Sequence, residues 1–190
     1  MILLGSLIII IFLHELGHLL AAKVCKCGVK TFSVGFGPAI AKFTYNKTVY
    51  QIAPMLLGGY CQLQGEMLYS KSKYAFTNKT YSQKVFISLA GILMNLWSGL
   101  VSYCIFLMTY NPIFFYFAYY SVAIGLSNLL PIPALDGSFI FAFLLEKKLG
   151  KKKAYTVIAS VFSKWLRWLL ILNVLSIPYL GWLIWTGAIK

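Results

Sequence analysis

Charge is scarce in this sequence, and acidic charge is scarcest. Only 11% of its 190 residues are charged, against about 25% in an ordinary soluble domain. A water-facing surface needs far more, so a cytosolic enzyme or a free DNA-binding module is excluded. The chain has four acids, two histidines and 17 basic residues, a net charge of +13. That excess does not imply nucleic acid, because the lysines lie in short runs between long apolar segments, the pattern of a membrane protein. Arg167 is the one arginine; low Arg with high Lys, Ile and Asn is the bias of an A·T-rich bacterial genome. No basic residue precedes Lys23, which argues against a cleaved signal peptide, since these begin with a basic region. Internal repeats and low-complexity segments are also lacking. Cysteines are few. Cys25 and Cys27 are too close to staple anything and lack a second pair of metal ligands, so all four, with Cys61 and Cys104, are expected to be small buried hydrophobes.

What is abundant is apolar surface, 60% of the residues. Four stretches approach the roughly 20 apolar residues a membrane-crossing helix needs: about 2–22, 85–108, 113–145 interrupted at 131–137, and 168–189. The expected fold is therefore an all-α polytopic membrane protein with about four transmembrane helices. A β-rich insertion over about 31–65 separates the first two spans. Within it, Phe43-Thr44-Tyr45 and Val49-Tyr50-Gln51-Ile52 flank Asn46-Lys47, a hairpin turn. The whole of 1–190 reads as a single membrane-embedded domain. Nine lysines lie between the first two spans and seven basic residues, Lys147 to Arg167, between the last two. The positive-inside rule makes both loops cytoplasmic and both termini external, with anionic lipid as the partner of the basic loops.

Ionisable groups inside apolar spans are costly, about 2.5–3.5 kcal/mol for a charge at the helix centre. Both histidines and one acid nevertheless fall in His14-Glu15-Leu16-Gly17-His18, within the first span. Positions four apart share a helix face, so two imidazoles can aim at one point. Glu15 lies about 100° around, placed to serve as a base without being a ligand. This is the H-E-x-x-H arrangement of zinc hydrolases. A catalytic zinc usually takes a third protein ligand. Glu66 and Glu146 flank lysine-bearing loops and read as solvated charge. Asp136 instead follows Pro131 and Pro133, which break the third span. Irregular backbone at that depth is tolerated only where it is buried in protein or lines a wet cavity. Asp136 there suits a ligand, or equally a cap for the helix that resumes at Gly137.

These segments resemble the site-2 protease family of intramembrane zinc metalloproteases. His14 to His18 is similar to the family's H-E-x-G-H, and Asn128-Leu129-Leu130-Pro131-Ile132-Pro133-Ala134-Leu135-Asp136-Gly137 to its N-x-x-P-x-P-x-L-D-G. Phe32 to Pro38, Pro54 to Tyr60 and Ala90 to Asn95 are weaker matches, and Gly91-Ile92 stands where many members have Gly-Pro. The resemblance implies one zinc per chain, held by His14, His18 and Asp136, with Glu15 as general base. It also implies a hairpin dipping into the membrane, with Asn128, Pro131, Pro133, Gly58 and Gly59 binding an extended substrate. Only about four residues around Asn111 stand where one branch carries PDZ domains, so a minimal form without PDZ or nucleotide-sensing CBS domains is expected. The implied activity is hydrolysis of single-span membrane proteins or signal-peptide remnants near the cytoplasmic side of the cell membrane. The alternatives are a zinc-binding or transport protein, to which Glu15 is of little use, and a surface-acting membrane zinc protease, which ordinarily takes a distant Glu as third ligand.

Overall fold

A computed structural model of the chain describes residues 2–66, 70–130, 132 and 135–150, with scattered positions from 152 to 167. Helix α1, Ile2–Val24, and helix α2, Tyr81–Thr109, are long and apolar enough to cross a membrane. Two short helices follow, α3 at Pro112–Ser127 and α4 at Gly137–Leu149. The expected third span is thus two helices, parted by a break that begins at Asn128, before either proline. Neither helix is as long as α1, and the expected fourth span at 168–189 lies outside the described residues.

Local chemistry explains the helix ends. Helix α2 begins four residues earlier than its apolar run because Thr80 and Gln83 form a capping box. The Thr80 hydroxyl accepts from the Gln83 amide and the Gln83 side chain accepts from the Thr80 amide, which satisfies two orphan donors. It ends on Tyr110 in the left-handed region. Asn111 then caps α3, accepting from the Ile113 amide at 3.1 Å, with Pro112 at the first helical position. Two residues therefore turn the chain back, and α3 packs along α2.

Between α1 and α2 stands a four-stranded sheet: β1 Val29–Phe36, β2 Ala41–Tyr45, β3 Thr48–Ile52 and β4 Met55–Leu63. The expected hairpin is present. Asn46 and Lys47 both take positive φ, and Phe43 pairs with Tyr50, as the twist of a two-residue hairpin turn requires. It is, however, only the outer half of a mixed sheet in the order β2-β3-β1-β4, with β1 and β3 parallel. An all-α description is therefore too narrow: the fold is helix-rich with a mixed sheet. The hairpin's outer strand β2 is exposed along its length, whereas β4 and β1 lie against α1.

One core binds these parts. Leu19, Ala22, Phe32, Leu63, Phe76, Ile87 and Phe143 join α1, the sheet, the 3-10 turn at Phe76–Asn78, α2 and α4. Cys25, Cys27 and Cys61 belong to it, and burial pushes the Cys27 thiol up to about 11, so these are inert hydrophobes. Cys104 departs from the expectation and is exposed on α2. The acids expected to be solvated depart too. Glu66 accepts from the Leu63 amide at 3.0 Å, and burial pushes its carboxyl up to about 7. Glu146 on α4 pairs with Lys84 on α2, whose side chain is almost fully buried and lies over the Phe143 ring.

Removing one partner of a buried ion pair strands the other charge and costs about 3–5 kcal/mol, whereas replacing both by apolar groups is often neutral. Glu146→Ala should therefore lower the thermal unfolding midpoint in detergent sharply. The double variant Lys84→Met/Glu146→Leu should recover most of the loss. Equal destabilisation by both would show that this pair does not hold α4 to α2.

Candidate metal centre

Helix α1 places His14 and His18 one turn apart on the face toward α2, only 7% and 8% exposed. Their rings meet edge to face, with centroids 4.9 Å apart. The two Nε2 atoms lie 3.3 Å from one another, and Asp136 Oδ2 lies 2.9 Å from that of His14 and 3.2 Å from that of His18. Three donor atoms from chain segments over a hundred residues apart thus form one small triangle.

The triangle fits a metal ion by three tests. Two imidazole nitrogens and a carboxylate oxygen are a zinc donor set, and a tetrahedral ion with bonds of about 2.0–2.1 Å spaces its ligands about 3.3 Å apart. The second test is tautomer. His18 Nδ1 donates to the Ile87 carbonyl at 2.8 Å; a carbonyl can only accept, so Nδ1 carries the proton and Nε2 presents its lone pair. The third is space. Gly91 on α2 faces the triangle, where a Cβ would come within 2.3 Å of His18 Nε2 and 2.8 Å of His14 Nε2. Among the described residues no other group of His, Cys, Asp or Glu converges in this way, and Cys25 with Cys27 does not.

Asp136 sits at the start of α4 but makes no side-chain cap there. Its carboxylate turns to the imidazoles instead, so of the two readings open for Asp136 the cap is set aside. The break that carries it is closed by the Gly137 amide donating to the Asn128 carbonyl at 2.7 Å. A side chain at 137 would strike the Leu129 carbonyl at 2.2 Å, so glycine is needed there. Asn128 Nδ2 donates back to the Ile124 carbonyl at 3.0 Å, ending α3. Pro131 and Pro133 lie outside the described residues.

Glu15 turns to the sheet side of α1. Its carboxylate lies close enough to both imidazoles and Asp136 to feel their charge. Gly59 of β4 packs on Glu15, where a Cβ would lie 3.0 Å from Cγ. Gly58 seats the Phe36 ring, with room for no side chain of its own. Sequence reasoning assigned no role to Gly91, Asn95 or the Ile87 carbonyl. A glycine and an amide inside an otherwise apolar helix were the available signals for the first two. Asn95 is fully buried, with Nδ2 at 3.2 Å from His14 Nδ1.

A sequence model of peptidase family M50 matches residues 2–112 and 108–170. Its two pieces meet at the short α2–α3 link. Among similar curated proteins is one named "Putative zinc metalloprotease" from Borreliella burgdorferi, 40% identical over 61% of this chain and 28% of its own length. Zinc metalloprotease RasP of Geobacillus kaustophilus is 46% identical over 30% of this chain and 14% of its own length. This chain spans about a quarter or less of the length of these relatives.

Gly91→Ala tests the geometry. Alanine favours the helix by about 1 kcal/mol over glycine, so helix content should hold. The added methyl should displace both imidazoles, and purified protein should retain far less than one zinc per chain. Full zinc retention would show that the donors do not converge beside Gly91.

Proposed function

Since this chain belongs to peptidase family M50, the site-2 protease family, we propose that it is a membrane-embedded zinc endopeptidase. It cuts peptide bonds within or near the transmembrane segments of other membrane proteins. The observation that carries this reading is the meeting of His14, His18 and Asp136 between apolar helices, with an acid beside them that ligates nothing. In this reading those three residues hold zinc and Glu15 is the general base. A zinc carrier would have use for the triangle but none for Glu15.

Bound zinc supplies Lewis acidity, which makes water nucleophilic at neutral pH. His14, His18 and Asp136 would hold the ion, and Glu15 would serve as the base, accepting a proton on its carboxylate and passing it to the leaving nitrogen. Gly59 of β4, packed against Glu15 Cγ, limits where the carboxylate can sit. A substrate helix must first unwind, because its carbonyls are already hydrogen-bonded. Strand addition replaces those bonds. The strand taken as the site of addition is β4, which runs beside Glu15 and whose outer edge is unpaired among the described residues. Asn128, Gly58 and Gly59 are assigned to substrate binding in this reading.

The basic loops place the N-terminus of α1 outside and the zinc nearer the cytoplasm, with Lys147 to Arg167 on anionic lipid. Single-span proteins and signal-peptide remnants are the substrate class that fits a site between helices.

Glu15→Gln keeps the shape and removes the base. Co-expressed with a single-span substrate, it should cut at least about 100-fold more slowly, while elemental analysis still finds one zinc per chain. Cleavage at the wild-type rate would remove Glu15 from this role.

A further inference from the structure

Asn95 lies in the middle of α2 and is completely buried. Its Nδ2 is 3.2 Å from His14 Nδ1, and its Oδ1 is the one buried side-chain polar atom without a partner among the described residues. The oxygen and nitrogen of an amide occupy interchangeable positions, assigned by the hydrogen bonds they make. The site itself decides between them. His14 Nε2 points at Asp136 and His18 Nε2, so as a metal ligand His14 carries its proton on Nδ1. That proton needs an acceptor, and the Asn95 amide is what faces it. Turning the amide by 180° sets Oδ1 on Nδ1, which gives that acceptor its donor and moves Nδ2 to the position where Oδ1 stood. His14 then matches His18, whose Nδ1 donates to the Ile87 carbonyl. Both acceptors stand on α2, eight residues and about two turns apart.

We infer that Asn95 is a positioning residue of the metal centre: its side-chain oxygen accepts from His14 Nδ1 and holds that ring in the ligating tautomer. The inference rests on the zinc reading of His14 given above. The surroundings of Asn95 serve this task. Its backbone carbonyl accepts from the Ser98 hydroxyl at 3.1 Å and from the Ser121 hydroxyl at 2.8 Å, which ties it to α3. Gly125 on α3 leaves room beside it, since a Cβ there would lie 3.1 Å from Asn95 Cβ. Helix α3 brings no ligand to the triangle. It acts on the centre by clamping the residue that orients one.

The test measures zinc affinity of the purified full chain in detergent, by competition with a chromophoric chelator. Partners of metal-bound histidine are worth about 10–100-fold in affinity, so Asn95→Leu should weaken binding by that factor. Asn95→Asp keeps an acceptor and discards the donor, so it should bind zinc within about threefold of wild type or more tightly. A residue that merely glued helices would not distinguish these variants through His14. Accordingly, Asn95→Leu should add no further loss of affinity in a His14→Ala background. Unchanged affinity in the Leu variant overturns the inference, and so does an Asp variant as weak as Leu. Should the Leu variant fail to fold, the Asp variant decides alone, because a donor role requires its affinity to fall. Wild-type protein that holds no zinc overturns the zinc reading as well, whereas zinc-holding wild type with an equally retentive Leu variant overturns only the role of Asn95.

Discussion

The contact of Asp136 with the two imidazoles of α1 is the constraint around which the rest of the fold is arranged. Polar groups removed from water must find partners or pay several kcal/mol each. Here three of them, from two segments over a hundred residues apart, are partners to one another. Nothing near them in sequence enforces that meeting. It is enforced by α2, which stands behind both histidines, opens a notch at Gly91 for their rings and supplies the Ile87 carbonyl to one of them. The same helix grips α4 at its far end through Lys84, Glu146 and the ring of Phe143. A single long helix thereby sets the distance between the His pair and the acid.

In the proposed function the sheet answers a different need. A helix can offer side chains to a metal but no backbone to an extended peptide, because its own amides are spent. Strand β4 has a spare edge among the described residues, and it lies against α1 at the one position, Gly59, where the absence of a side chain lets it touch Glu15. The parallel pairing of β1 with β3 pushes the hairpin outward, away from the histidines, and leaves β4 on the inside. That topology leaves the edge of β4 as the proposed strand-addition site.

Much of the centre was legible in the sequence, and the reason is energetic. In a chain with so few acids and only two histidines, every ionisable group inside an apolar run stands out, because its cost there demands an explanation. His14, Glu15, His18 and Asp136 were marked on that ground and by resemblance, and the structure brings all four together. The same logic was not extended to neutral polar residues, so Asn95 and Gly91 passed as parts of a helix. Glu66 and Glu146, which read as solvated charge, are instead part-buried or paired with a buried lysine. Those lie at the ends of apolar segments, where sequence gives no sign of whether a charge faces solvent or a neighbour.

The amino-acid sequence by itself determined which groups are chemically capable: periodicity of about 3.6 puts His14 and His18 on one face, the turn at Asn46-Lys47 makes a hairpin, and the segment from Asn128 to Gly137 interrupts the third apolar stretch. These are local consequences of backbone geometry, settled within a few residues. Tertiary structure alone decided that the carboxylate of Asp136 turns to the histidines and not to its own helix start. It alone also decided that β4 is the inner edge and that Asn95 faces His14. Each depends on packing between segments distant in the chain, where steric fit and the pairing of buried polar groups are settled only once the helices and sheet are assembled.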